Sequence, residues 1–337
     1  MSLNTLISAW LIQEEDSKLK MSTLLNRAGM IYDYLKSKPW VKTYMNVRPM
    51  KGLVESQVNG LGFKMESLKK DKMILLGPIK NEWRTRLILA YYNMNLMPVF
   101  LLEGCLCTFL KSSMLPGGGK KNPINEPIEL NQLFKILYSY ADLFRNEHMT
   151  SNDESEEIFH QRLNYFAERG LIEVSPDRKT FKVGSQERSM TLINFFSKLI
   201  MPLIDTYLIT LTAIEQLCGK NLVIKQKTLV NELHVGIKSL YSQGSIPSLH
   251  SCLKETIKTA IERFQQMGVL DTTAYLTRRG NSSQFLRSPA ESLPRIQEIL
   301  EWLGSHRNFS KKDQGAIFTE IDETIMRTLG PLPMPRL

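Results

Sequence analysis

At 337 residues, with 42% hydrophobic and 23% charged side chains, the chain has the balance of an ordinary globular protein able to bury a sizeable core. Its net charge of +9, read as spread along the whole length, admits an anionic partner without demanding one. Four cysteines (Cys105, Cys107, Cys218, Cys252) without C-x-x-C spacing and five histidines (His148, His160, His234, His250, His306) without an H-E-x-x-H pattern supply no metal site and fit a reducing compartment.

The opening "MSLNTLISAWLIQEEDSKLK" is weakly apolar but has no basic lead of the kind a signal peptide carries. A helix-then-hairpin pattern is faint in "LVESQVNGLGFKMESLKKDKMILLG", Leu53 to Gly77. The apolar run Leu96–Leu110 is short for a membrane span and carries Glu103, so it reads as a buried core helix. "SSMLPGGGKKNPINEP", Ser112 to Pro127, reads as a linker. Its Gly119-Lys120 pair lacks the earlier glycine and the following Ser or Thr of a phosphate loop.

Beyond the linker the helix-then-hairpin pattern sharpens. In "DESEEIFHQRLNYFAERG" the residues Phe159, Leu163 and Phe166 share one helical face, and Gly170 supplies a stop. Two short β-prone runs follow around Ser175-Pro176-Asp177. "LKETIKTAIERFQQMG" repeats the event with Ile257, Ala260, Ile261, Phe264 and Met267 in one stripe and a stop at Gly268. Two strand-like runs around Gly280-Asn281 come next. Long apolar helices between these units predict a common helical core, with Pro98 and Pro202 starting or kinking a helix. The expectation is a mainly α fold with short β-hairpins, a helical core carrying winged-helix-like helix–hairpin units. Its expected divisions are a helical segment with a possible hairpin over 1–111, a linker over 112–127, the core over 128–305 and a polar tail over 306–337.

Three stretches invite a chemical reading. His148 and Asp153 have the H-x-x-x-x-D spacing of glycerolipid acyltransferases, but they sit among Asn146, Ser151, Asn152 and Glu154, in what reads as a solvated turn that caps the next helix. Leu101-Leu102-Glu103-Gly104 echoes the phosphate-binding Glu-Gly-Thr-Arg stretch of the same enzymes, yet Cys105-Leu106-Cys107 follows where the polar residues belong. The helix after Asn152 carries Asp153, Glu154, Glu156, Glu157 and Glu168 against Arg162 and Arg169, a charge that disfavours DNA. The residues therefore predict no catalytic, cofactor-binding or metal site.

The order of segments resembles the C-terminal region of the glycerol-3-phosphate and dihydroxyacetone-phosphate acyltransferases. The likeness runs from "LNTLISAWLI" and "MSTLLNRAGMIYDYL" through "RLILAYYNMNLMPVFLLEGCLCTFL", "LFRNEHMTSNDESEEIFHQRLNYFAERGLIEV" and "LINFFSKLIMPLIDTYLITLTAIEQL", about residues 1 to 303. This resemblance implies a non-catalytic domain of a glycerophospholipid-synthesising acyltransferase whose catalytic motifs lie upstream of the region. It implies an acyltransferase catalytic domain as partner, in cis or in trans, a membrane surface as a further partner, and acyl-coenzyme A as co-substrate of the parent enzyme rather than a cofactor here. It implies the periphery of the mitochondrial outer membrane, with the peroxisome as alternative because the closing Pro335-Arg336-Leu337 faintly echoes an S-K-L address. The competing readings are a winged-helix nucleic-acid binder and a helical protein-interaction scaffold.

Overall fold

The computed structural model describes residues 3–14, 16–36, 49–68, 71–77, 83–114, 127–147, 156–184, 186–220, 223–246, 248–276 and 282–307. One motif accounts for most of them, three times over. A short strand runs without a loop into a helix, a second helix follows, and a hairpin closes the motif. In the first copy these are β1 (Lys18–Lys20), α2 (Met21–Lys36), α3 (Lys51–Gly60), β2 (Lys64–Ser67) and β3 (Lys72–Leu75), after an opening helix α1 (Leu3–Gln13). The helices α4 (Trp83–Met94) and α5 (Leu101–Met114) lead to the second copy: β4 (Ile128–Glu129), α6 (Leu130–Leu143), α7 (Glu156–Glu168), β5 (Ile172–Val174) and β6 (Thr180–Val183). The long α8 (Glu187–Gly219) leads to the third, comprising β7 (Val223–Lys225), α9 (Gln226–Ser242), α10 (Lys254–Gln266), β8 (Asp271–Leu276) and β9 (Ser282–Arg287), with α11 (Leu293–Arg307) after it.

Each copy forms a three-stranded antiparallel sheet in which the last strand lies in the middle: β1-β3-β2, β4-β6-β5 and β7-β9-β8. Helix, strand, two helices and a hairpin in that order make a winged-helix topology. Lys18 faces Leu75, Ile128 faces Phe181 and Val223 faces Arg287 across the first-to-last pairing. The fold class is the mainly α one expected from the sequence, and the hairpins at Ser175–Asp177 and after Leu53 are present.

The local chemistry of the repeat is the same each time. The strand's final residue caps the next helix with extended backbone, φ −67° and ψ 133° at Glu129 and φ −66° and ψ 132° at Lys225. The helix before each hairpin ends at a left-handed glycine: Gly62 (φ 87°), Gly170 (φ 68°) and Gly268 (φ 71°). The residue after each glycine donates its N–H to a carbonyl five positions back, Phe63 to Val58, Leu171 to Phe166 and Val269 to Phe264. The glycine N–H bonds three positions back, to Asn59, Ala167 and Gln265. This is the Schellman closure, which satisfies end carbonyls and packs an apolar residue beyond the glycine against one in the last turn. All six of those apolar residues are buried.

Over 83–114 the chain forms two helices, α4 and α5, with Pro98 in the turn between them. Pro98 has no N–H to continue the first helix, and its ring disfavours helical backbone at the preceding residue. Pro202 instead lies inside α8, which continues through it. Of the described residues only α8 is long and apolar enough to cross a membrane, and 83% of that apolar window is buried within the protein. Of the linker expected over 112–127, Ser112, Ser113 and Met114 belong to α5, while residues 115–126 and the tail beyond 307 lie outside the described residues.

The chain divides into two compact units, one of residues 1–107, 148–172 and 184–200, the other of 108–147, 173–183 and 201–337. The first is centred on aromatic rings. Tyr34 lies 5.0 Å from Phe196, 5.2 Å edge-on from Tyr165 and 6.0 Å from Phe100, and Tyr165 Oη donates to the Tyr34 carbonyl at 2.6 Å. The second has Tyr140, Phe144, Tyr207, Phe264 and Trp302 in successive ring contacts of 4.6 to 5.9 Å. Ring pairs of this kind add to the burial that drives the cores.

The Gly268 position gives a clean test of the repeated closure. A Cβ there would meet nothing within 4 Å, so substitution probes backbone conformation alone. Gly268→Ala is expected to lower stability by about 1–2 kcal/mol, the cost of left-handed backbone for an L side chain, and Gly268→Asn by less. Urea unfolding followed by far-UV circular dichroism measures both.

Candidate functional site

His148 and Asp153 lie outside the described residues, so the structure assigns them no geometry. The described part of their surroundings ends at Arg145–Glu147, a single 3-10 turn after α6. Among the described residues no group of three or more His, Cys, Asp or Glu side chains could hold a metal ion.

Gly104 has a packing reason to be glycine. Its α5 position crosses α8 so closely that a Cβ would sit 2.3 Å from Ile200 Cγ2 and 2.9 Å from Cγ1. Glu103 is 4% exposed, next to this crossing. Its charge acts on Tyr34 and Cys107, whose pKa values are raised first by burial and then by that carboxylate. A buried thiol held protonated is inert as a nucleophile. The Glu-Gly pair thus belongs to a helix crossing.

Two titratable arrangements in the described residues were not legible in the sequence. In the second unit, Tyr207 Oη lies 3.3 Å from Glu147 Oε1, and burial raises the Glu147 carboxyl from its ordinary 4.5 to about 7, against the lowering effect of the tyrosine hydrogen bond. Arg263, only 5% exposed, pairs with Asp142 at 2.8 Å. Only the partial amphipathic pattern of α6 and α10 could have hinted at this, since the partners lie 60 and 121 residues apart. The other arrangement joins α9 to the 3-10 turn Leu249–Cys252 before α10: His234 Nδ1 donates to the Cys252 carbonyl at 2.6 Å, and its pKa is lowered by burial and then by Lys238 and Lys254.

The first unit also has a groove of 750 Å³ along α2 and the start of α8. Ser22, Asn26, Gly29 and Asp33 line it from α2, and Glu187 and Arg188 from α8. Its charges are mixed, and no histidine or cysteine lines it.

A family model described as the glycerol-3-phosphate acyltransferase C-terminal region matches residues 1–273. The chain belongs to this family. The match covers the first two winged-helix copies and the third as far as β8, and it agrees with the resemblance read from the segment order. A search of curated proteins found no match. Membership supports a role related to glycerol-3-phosphate acyl transfer in lipid biosynthesis.

The Glu147–Tyr207 contact makes a pH prediction. A carboxyl whose folded pKa exceeds its unfolded value holds its proton more tightly in the native state. Its stability contribution is therefore complete below about pH 4.5 and is lost as pH rises to about 7. The loss is at most about 3 kcal/mol by linkage, reduced by the partial solvation of the group. Glu147→Gln is expected to remove that part of the slope and to raise the melting temperature at pH 8 relative to wild type, as read by calorimetry across the pH range.

Proposed function

We propose that this chain is a non-catalytic buttress for a glycerol-3-phosphate acyltransferase domain. The parent reaction transfers a fatty acyl group from acyl-coenzyme A to the sn-1 hydroxyl of glycerol 3-phosphate. In this reading the winged-helix copies act as rigid packing modules. They stabilise the catalytic domain, in cis or in trans, and hold it against a membrane at the periphery of the mitochondrial outer membrane. The observation that carries the proposal is the family match over residues 1–273. The described interior supports it, because the buried polar side chains Glu103, Tyr34 and Cys107 lie among packed rings and apolar helices.

Co-expression tests this. The chain and an acyltransferase catalytic domain of the same family are expected to elute together in equimolar amounts from gel filtration, with the catalytic domain melting at higher temperature than when alone. Separate elution at micromolar concentration, with an unchanged melting temperature, would contradict the buttress.

A further inference from the structure

The positive charge of the chain is carried by the first and third winged-helix copies, and in the third it falls on an ordered helical face. Residues 220–258 hold six lysines against two glutamates and no aspartate. The sequence over 128–174 is the reverse, with nine acidic residues against four basic ones. The excess read as evenly spread thus lies in the first and third copies, with a second copy of opposite sign between them.

In the third copy the lysines share a surface. On α9 the residues Lys227, Asn231, His234, Val235 and Lys238 fall within an arc of roughly 100° at the helical repeat of 3.6 residues. The opposite side, Leu229, Val230, Leu233, Ile237 and Leu240, is buried. Lys227 and Lys238 are exposed, and Val235 stands 55% exposed between them. Lys254, in the first turn of α10, extends the same surface. Its Nζ donates to Asn231 Oδ1 at 2.7 Å, and both Lys254 and Lys238 lie near enough to His234 to act on its imidazole. The acidic groups nearby are Glu232 on the flank of α9, and Glu255 and Glu262 on α10, of which Glu255 is occupied by Lys258 at 2.9 Å.

We propose that this face, α9 with the first turn of α10, docks on an anionic phospholipid surface. The proposal rests on the reading that the chain works beside a membrane, and it names the side of the molecule that meets the lipid. Charge complementarity supports an anionic partner, since basic segments near a bilayer gain attraction from each lysine. The exposed aliphatic Val235 among the lysines fits partial burial at the headgroup boundary. All the cations of 220–258 are lysines, which act as hydrated point charges; none is an arginine suited to bidentate reading of bases. The helix in the groove-reading position, α10, sets Glu255 and Glu262 against Lys254, Lys258 and Arg263, of which Lys258 pairs with Glu255 and Arg263 is buried against Asp142, so it offers the phosphates of DNA little net attraction.

The test is flotation of the full chain with vesicles of phosphatidylcholine alone and of phosphatidylcholine mixed with phosphatidylserine, at low and high salt. Binding is expected only with the anionic vesicles and is expected to weaken with salt. Lys238→Gln with Lys254→Gln should weaken partitioning about 25-fold, roughly fivefold per lysine, with the circular dichroism spectrum unchanged. Val235→Asp should weaken it as well, while Lys179→Gln with Lys182→Gln should leave it intact. Equal binding to neutral vesicles, no binding to either, or unchanged binding by the folded double variant would overturn the proposal. So would duplex DNA that binds through Lys238 and Lys254 and displaces the vesicles. Loss of vesicle binding with retained co-elution of the acyltransferase domain would remove this surface and leave the buttress standing.

Discussion

The pairing of a very short strand with the far strand of a hairpin is the constraint on which the rest of this structure depends. A two-stranded hairpin is marginal in water, the more so in the first two copies, whose hairpin strands are only three or four residues long. Each copy overcomes this by bringing a third strand to the hairpin from the segment before its helix pair, as in Lys18–Lys20 against Lys72–Leu75. Because that strand enters its helix with no intervening loop, pairing also fixes where the helix starts. The glycine closure fixes where the next helix ends. Helices and sheet are therefore set by the same few backbone hydrogen bonds, and the same arrangement occurs three times.

What the sequence shows of this follows from the length of each signal. Phe264 and its neighbours repeat at helical spacing over a dozen residues, and Gly268 and Gly170 mark ends by conformational need, so the helix–hairpin units can be read directly. Ile128–Glu129 is two residues long and carries no alternation to detect. The first strand of each copy was missed for that reason, and with it the three-stranded order of each sheet. Pro98 and Pro202 look alike in sequence. One separates two helices and the other is absorbed within a helix of 33 residues, a difference set by tertiary packing.

The candidate chemistry shows the same division. Glu103-Gly104 matched part of a phosphate-binding pattern, but Gly104 is needed because Ile200 occupies the space beside its Cα. Glu147 met Tyr207 across 60 residues, a pairing no local pattern encodes. Charge is a further lesson. A net +9 hides a second copy rich in acid and a third rich in lysine. Three copies of one topology thus differ in the charge they carry, and function is read from such particulars and not from the common fold.

In the proposed function these residues pack and dock, and acyl transfer belongs to another domain. Its most direct test is the reaction itself: purified chain incubated with radiolabelled acyl-coenzyme A and glycerol 3-phosphate, with lipid product extracted and counted. The account predicts product no higher than in the protein-free control. Turnover that disappears in the His148→Ala variant would contradict it.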